Sequence, residues 1–348
     1  MRVPEKKDIA NKIRAARIKN QQSAADLFEE IKNGNIAALG QAITLLESTK
    51  PEHELIASEL VDKCLTVSGQ SIRIGISGVP GVGKSTFIES FGSLLTSQGK
   101  KLAVLAVDPS SKKSGGSILG DKTRMETLAQ NANAFIRPTP AGGSLGGVAL
   151  KTREAIILCE AAGYDVILIE TVGVGQSETA VKSMVDFFLL LMLSGAGDEL
   201  QGIKRGIMEM ADALVITKAD GDNIHPAKLA SRTYKNALHL FPASESGWIP
   251  QVLSCSAQEQ TGLTEIWELI ESFENQLKIN GHFEEERKRQ AVHWMHEAIM
   301  EELRSSFYNS NQAAEIAQLE EQVQNQTISP KNAAKLAMAK RSGNKYGP

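Results

Sequence analysis

An α/β fold, with a mainly parallel sheet flanked by helices and helical extensions at both ends, is what the sequence predicts. Three observations carry this. From Ser71 onward, short β-branched apolar runs alternate with helical stretches, and each run ends in Gly, Asp or Ser, the rhythm of βαβ units. The runs are almost continuously apolar, as expected of strands covered on both faces of a parallel sheet. Before Ser71 and after about His282 the chain turns to helix-forming, charged composition.

The chain has 348 residues and 42% hydrophobic content, enough to bury one sizeable core with further elements around it. Its formal charge of −3 offers no net attraction to polyanions, so no nucleic-acid partner is expected and any phosphate binding must be local. Cys64, Cys159 and Cys255 are odd in number and far apart, which argues against a disulfide framework or a zinc ribbon and fits a reducing compartment. Charged residues follow Met1 without an apolar stretch, so no secretory signal is read. The longest apolar run, 187–193, is far below the roughly 20 residues that span a bilayer. A cytoplasmic protein with no membrane partner is the expectation.

Taken in order, Ile36, Leu39, Ile43, Leu45 and Leu46, then Leu55, Ile56, Leu60, Val61 and Leu65, recur at near-helical spacing and predict two or three helices in an N-terminal extension over 1–66. Strands are predicted over 72–77, 102–107, 134–137, 166–169, 187–193, 213–217 and 251–254, within a domain at 67–280. Gly142, Gly143, Gly146 and Gly147 read as a flexible loop before a helix starting near Val148. In a C-terminal helical arm over 281–348, Ala291, Met295, Ile299 and Leu303 are spaced by four beside Trp294; a second segment carries Ile316, Leu319 and Val323. Ser329-Pro330 opens a last helix with Ala333, Ala334, Leu336 and Ala337.

Gly78-Val-Pro-Gly-Val-Gly-Lys-Ser-Thr86 matches GxxxxGK[ST] between a predicted strand and a predicted helix, the context that motif requires. Glycines there let successive N–H groups point at phosphate oxygens, and the helix that follows adds its positive end. Backbone from Gly78, Gly81, Val82 and Gly83 would cradle phosphates, Lys84 would reach the β- and γ-phosphates, Ser85 would bind magnesium, and Thr86 completes the motif. The predicted fold is therefore a P-loop NTPase.

The strand at 213–217 ends in Thr217-Lys-Ala-Asp220, which looks like the [NT]KxD element of GTPases. A carboxylate at Asp220 can accept from guanine N1–H and its 2-amino group, and the Lys218 stem would lie along the base. Ser254-Cys-Ser-Ala257 resembles the loop that contacts guanine O6 by backbone N–H, which singles out Ser256 and Ala257. Thr217 stands where most GTPases carry Asn, whose amide braces base and phosphate loop; Thr has only a hydroxyl.

Asp108 and Glu170 follow predicted strands, and in an open parallel sheet ligands collect at the carboxyl ends of strands. Two carboxylates beside a Gly-Lys-Ser loop imply Mg2+ held with GTP or GDP. Glu170-x-x-Gly173 stands where ordinary GTPases have DxxG, and Gly173 could donate to the γ-phosphate from a switch near 171–178. No Gln follows Gly173, so the usual water-positioning residue is missing; Gln176 is a substitute candidate, and Asp121 could orient water or hold metal through water. Slow intrinsic hydrolysis is expected. Two further patterns are discounted. Leu193-Ser-Gly-Ala-Gly197 lacks the Gln of the transporter signature LSGGQ, and His293-x-x-His296 with Glu297 has nothing nearby to complete a metal site.

Val107-Asp-Pro-Ser-Ser111, Gly115-Gly-Ser-Ile-Leu-Gly-Asp-Lys-Thr-Arg-Met125, Glu170-Thr-Val-Gly-Val-Gly-Gln-Ser-Glu178 and Gly197-Asp-Glu-Leu-Gln-Gly-Ile-Lys204 together resemble the methylmalonyl-CoA mutase-associated GTPases. That family is also labelled lysine/arginine/ornithine transport ATPases or kinases, and the resemblance runs over roughly 35–345. It implies a GTPase chaperone, homodimeric through its C-terminal arm, that gates cofactor loading and protects an adenosylcobalamin-dependent acyl-CoA mutase. It also implies a third switch over 195–204, with charges at Asp198, Glu199 and Lys204. Two other classes stay open: a phosphotransferase linked to amino-acid transport, for which Asp121 is the nearest acidic base, and an energy-coupling transporter subunit, whose signatures are absent.

Overall fold

The computed structural model describes residues 23–107, 125–138, 145–171, 177–195, 205–242, 244–308 and 313–341. Two compact units are present, Met1–Ala291 and Val292–Pro348.

Among the described residues, the first unit opens with three helices, α1 (Ala24–Lys32), α2 (Ile36–Leu46) and α3 (Pro51–Leu65). Each start has a local cause. Ser23 and Asp26 form a reciprocal capping box, the Asn35 side chain accepts from the N–H groups of Ala37 and Ala38, and Pro51 occupies the first turn, where its missing N–H has no consequence. The apolar stripe bends inward, burying Leu27, Ile31, Leu39, Ile43, Leu46 and Leu60. A part-buried pair of Arg137 with Glu47 ties this arm to the sheet.

Among the described residues the sheet has seven strands, β1 (Ile72–Gly78), β2 (Leu102–Val107), β3 (Ala134–Pro138), β4 (Val166–Thr171), β5 (Phe187–Met192), β6 (Ala213–Ile216) and β7 (Gln251–Ser254), in the order β3-β2-β4-β1-β5-β6-β7. Every pairing is parallel. The connecting helices are α4 (Lys84–Ser97), α5 (Glu126–Ala129), α6 (Leu145–Ala161), α7 (Ser177–Lys182), α8 (Arg205–Met210), α9 (Ile224–Leu238) and α10 (Leu263–Ile279). Side-chain alternation divides the core into two layers. Ile72, Ile74, Ile76, Phe187, Leu189 and Leu191 join one cluster with Phe87, Phe91 and Phe273 from α4 and α10. There Phe187 meets Phe273 edge-on with ring centres 4.9 Å apart, and Phe87 stacks on Phe91 at 5.3 Å. Each such buried ring contributes about 1.5–3 kcal/mol of transfer free energy.

Two predicted strands, 102–107 and 251–254, match at both ends, and the other five shift by one or two residues at their carboxyl ends. The largest difference is β4, which continues past 169 through Glu170 and Thr171. Its position between β1 and β2 extends the ladder, pairing Ile76 with Glu170 and Val107 with Thr171. The polar Thr171 is accommodated because its hydroxyl meets the Ser77 hydroxyl at 3.0 Å. The helix expected near Val148 starts at Leu145.

A polar network closes the amino end of the sheet. Arg73 on β1 donates to Glu160 on α6 at 2.8 Å. Asp186, before β5, accepts from the Arg73 N–H at 2.8 Å and from both Nε (2.8 Å) and Nη2 (2.6 Å) of Arg287. Arg287 belongs to α11 (His282–Tyr308), so the start of that helix is fastened to the sheet.

In the second unit, α12 (Ala313–Gln324) and α13 (Pro330–Arg341) pack on each other around an apolar cavity of about 540 Å³ lined by Phe307, Ile316, Leu319, Val323, Ala333 and Ala337. The Ser329 hydroxyl accepts from the Asn332 N–H, as expected of a helix start. Met295, Ile299 and Leu303 lie on α11 as predicted by their spacing, yet all three are exposed.

Candidate functional site

β1 is the point from which the chain first builds the sheet one way, toward β2 and β3, and later the other way, toward β5, β6 and β7. Such a switch point is where an open parallel sheet presents a crevice at the carboxyl ends of its strands. The glycine-rich loop leaves β1 there. A Cβ at Gly78 would lie 2.6 Å from the Leu191 carbonyl oxygen, so only glycine lets β1 turn against β5 at this point. Gly83 takes the left-handed conformation (φ 93°, ψ 34°) and caps α4, placing Lys84 and Ser85 in the helix's first turn.

Lys84 Nζ donates to the Gly78 carbonyl at 2.9 Å. Burial pushes its ammonium below the ordinary lysine range, and the Glu170 and Glu178 carboxylates offset part of that shift. Glu170 is 5% exposed at the end of β4, and the Ser85 hydroxyl lies 3.5 Å from its Oε1. Carboxylate and hydroxyl oxygens at a phosphate loop are hard donors, the chemistry that suits Mg2+ better than a soft metal. Asp108, Asp121, Gly173 and Gln176 lie outside the described residues, as do Gly142, Gly143, Asp198, Glu199 and Lys204. Among the described residues no cluster of His, Cys, Asp and Glu could hold a metal, and His293 and His296 are exposed.

The segment 217–220 follows β6 directly beside the phosphate loop. Thr217 is 4% exposed, and its hydroxyl donates to the Val82 carbonyl at 2.8 Å, with the Met192 carbonyl 3.3 Å away. A hydroxyl thus makes the tie to the phosphate loop that an Asn amide makes in most GTPases. Lys218 Nζ donates to the Gly81 carbonyl at 2.8 Å. The Ser256 hydroxyl donates to Asp220 Oδ2 and accepts from the Glu259 N–H at 3.1 Å. The Ser256 N–H itself donates to the Thr261 carbonyl at 3.0 Å, so the backbone donor expected of Ser256 is engaged within the loop. The Ala257 carbonyl accepts from Ser90 on α4 at 2.8 Å, fixing this loop to the helix that starts at Lys84. Thr86 is exposed on that helix.

Three contributors escaped the sequence reading. Glu178 sits 2% exposed in the first turn of α7 and acts on the Lys84 charge; an acidic residue at a helix start was its available signal. Ser194 and Asn223 join the end of β5 to the 217–220 loop through side-chain hydrogen bonds across 29 residues of sequence, which no local pattern announces.

A family model described as methylmalonyl-CoA mutase-associated GTPase MeaB matches residues 39–312. The chain belongs to this family. It is a P-loop GTPase, a GTP-hydrolysing enzyme, as named relatives of the family are. GTPase ArgK of Escherichia coli (strain K12) is 47% identical over 313 residues, covering 90% of this chain and 95% of the relative. The methylmalonic aciduria type A homolog, mitochondrial, of Mus musculus is 46% identical over 331 residues, covering 92% and 80%. The crystal structure of a LAO/AO transport system kinase superposes with a TM-score of 0.72 at 39% identity, covering 93% of this chain and 99% of that one. Against that background of MeaB-family GTPases, the phosphate loop and the 217–220 and 254–257 loops stand at one end of one sheet, as the sequence motifs require.

Proposed function

We propose that this MeaB-family GTPase couples its nucleotide state to cofactor loading and protection of an adenosylcobalamin-dependent acyl-CoA mutase. The match of the mutase-associated family over 39–312 carries the reading. The relative from Mus musculus, named for methylmalonic aciduria, supports it.

In this reading the N–H groups of the loop from Gly78 to Gly83 cradle the phosphates, and Lys84 turns from the Gly78 carbonyl to the β- and γ-phosphates. Asp220 accepts from guanine N1–H and the 2-amino group, held at the correct angle by Ser256, while Ala257 offers its N–H to O6. Ser85 and Glu170, with Asp108 and Asp121, hold Mg2+, which when bound neutralises phosphate charge. Gly173 serves the γ-phosphate, and Gln176 or Asp121 orients the water. Residues 67–280 are the catalytic domain after a helical extension at 1–66, and 281–348 form an arm that pairs two copies; the exposed stripe of Met295, Ile299 and Leu303 supports that pairing. The protein is cytoplasmic in this reading, and among the described residues no helix is long and apolar enough to cross a membrane.

The test is GTP turnover by the purified protein with and without an acyl-CoA mutase from the same organism, together with co-purification of the two. Stimulated turnover that is lost more than basal turnover in Asp198→Ala and Lys204→Ala is the expected result. No stimulation by any such mutase, with phosphate instead transferred to an acceptor, would favour the phosphotransferase reading.

A further inference from the structure

We infer that Asn223 is a positioning residue for guanine recognition, holding the turn that carries Lys218 and Asp220 and held in its own place by Ser194. The inference rests on the base site proposed at Asp220.

Lys218 adopts φ 56°, the left-handed region that residues with a Cβ rarely enter. A turn of that kind persists where its surroundings hold it. Asn223 holds it twice. Its side-chain Nδ2 donates to the Lys218 carbonyl at 2.5 Å, and its backbone N–H donates to the Asp220 carbonyl at 2.9 Å. A carbonyl can only accept, so the Lys218 oxygen dictates which end of the Asn223 amide faces it. The other end, Oδ1, accepts from the Ser194 hydroxyl, two residues past β5.

The consequence reaches the phosphate loop. With its backbone fixed, Lys218 extends its stem to donate to the Gly81 carbonyl at 2.8 Å, and Asp220 faces Ser256. A continuous chain of contacts therefore runs from Ser194 through Asn223 and Lys218 to Gly81. Thr217 lacks an amide, and six residues on, Asn223 supplies one from outside the motif to brace the same loop. Both ends of the Asn223 amide are engaged by protein groups, the Lys218 carbonyl and the Ser194 hydroxyl. Its effect on the nucleotide passes through Lys218 and Asp220, so its loss belongs in nucleotide affinity and not in the chemical step.

The experiment compares the wild-type protein with Asn223→Ala, Asn223→Asp, Ser194→Ala and Asp220→Asn, measuring kcat and KM for GTP and the affinity for a fluorescent GDP analogue. Asn223→Asp keeps the shape and the acceptor for Ser194 but removes the donor to Lys218, so it decides the question if the alanine variant folds poorly. Both Asn223 variants are expected to raise KM and the GDP-analogue Kd about tenfold while kcat moves less than about twofold, and Ser194→Ala is expected to raise them about threefold. Asp220→Asn should shift preference from GTP to xanthosine triphosphate. If Asp220→Asn does so while Asn223→Asp binds within about twofold of wild type, the positioning role is overturned and the base site stands. If neither variant alters nucleotide binding, the base site and the inference fall together.

Discussion

The Thr217 hydroxyl donates to the main-chain carbonyl of Val82 at 2.8 Å, joining the 217–220 segment to the phosphate loop through one buried oxygen. Because the Met192 carbonyl lies 3.3 Å from the same hydroxyl, β5, β6 and the phosphate loop meet at this side chain. Thr217→Val keeps the shape and removes the hydrogen bond. The expected outcome is a loss of about 1–3 kcal/mol in unfolding free energy together with weaker GTP binding, because a buried carbonyl is left without its donor. Thr217→Ser should recover most of both. Urea unfolding followed by circular dichroism, with nucleotide titration alongside, checks this; a valine variant equal to wild type in both would remove the brace from the account.

Arg287 and Asp186 form a two-point ion pair in which the carboxylate side chain is 3% exposed and the guanidinium 14%. Arg287 also donates to the carbonyls of Gly69 and Ser71. Removing one partner of such a pair leaves a buried charge uncompensated, at a cost of about 3–5 kcal/mol. Arg287→Met is therefore expected to be strongly destabilised, and the double variant Arg287→Met with Asp186→Asn less so than the single one. Additive losses in the double-mutant cycle would contradict direct coupling.

The sequence and the structure agree most closely where local chemistry is self-sufficient. The glycine-rich loop, the apolar strands and the start of the last helix at Ser329-Pro330 are each dictated by neighbours in sequence. Glu170 shows the limit. A polar residue after an apolar run reads as a strand end, but pairing with β1 on one side and β2 on the other carries β4 two residues further. Ser256 shows another. Its N–H reads as a base contact, yet the return of the chain at Thr261 takes that donor. The tie between Ser194 and Asn223 depends on β5 and β6 lying side by side, a consequence of sheet order that no window of sequence contains.

Cys64, Cys159 and Cys255 are all free and buried. Burial pushes the Cys64 thiol up to about 11 and that of Cys255 to about 12, and Cys159 is raised further by burial and by Glu160. The native protein at pH 8 should therefore leave a thiol reagent unreacted, and denaturant should release all three groups. The linkage has a definite sign. Thiols that stay protonated in the folded chain but ionise near 9.0 in the unfolded one stabilise fully below that pH, and the contribution declines as pH rises above it. A Cys159→Ala variant should show a shallower alkaline loss of stability than the wild type; an identical slope would contradict the shift.

Lys84 carries an electrostatic penalty in the folded chain. Burial lowers the affinity of its amine for a proton, and the attraction of Glu170 and Glu178 only partly restores it. The folded chain therefore binds this proton less tightly than the unfolded chain, whose lysine titrates near 10.5. The Lys84 contribution to wild-type stability therefore rises with pH across the window between the folded value and 10.5, where the unfolded state carries more of this proton. Lys84→Met fills similar space with no charge and lacks this rise. The difference in unfolding free energy, variant minus wild type, is thus expected to fall as pH climbs toward 10.5, whatever constant offset follows from losing the 2.9 Å bond to the Gly78 carbonyl. Turnover of GTP should be lost in the same variant, since the phosphates lose their point charge while Phe87 and Ile88, buried one turn along α4, keep the helix packed. Denaturant titrations of both proteins without nucleotide at several alkaline pH values, with circular dichroism spectra at neutral pH, measure all of this. A difference that grows with pH would reverse the sign of the Lys84 shift, and retained turnover would remove Lys84 from the phosphate site.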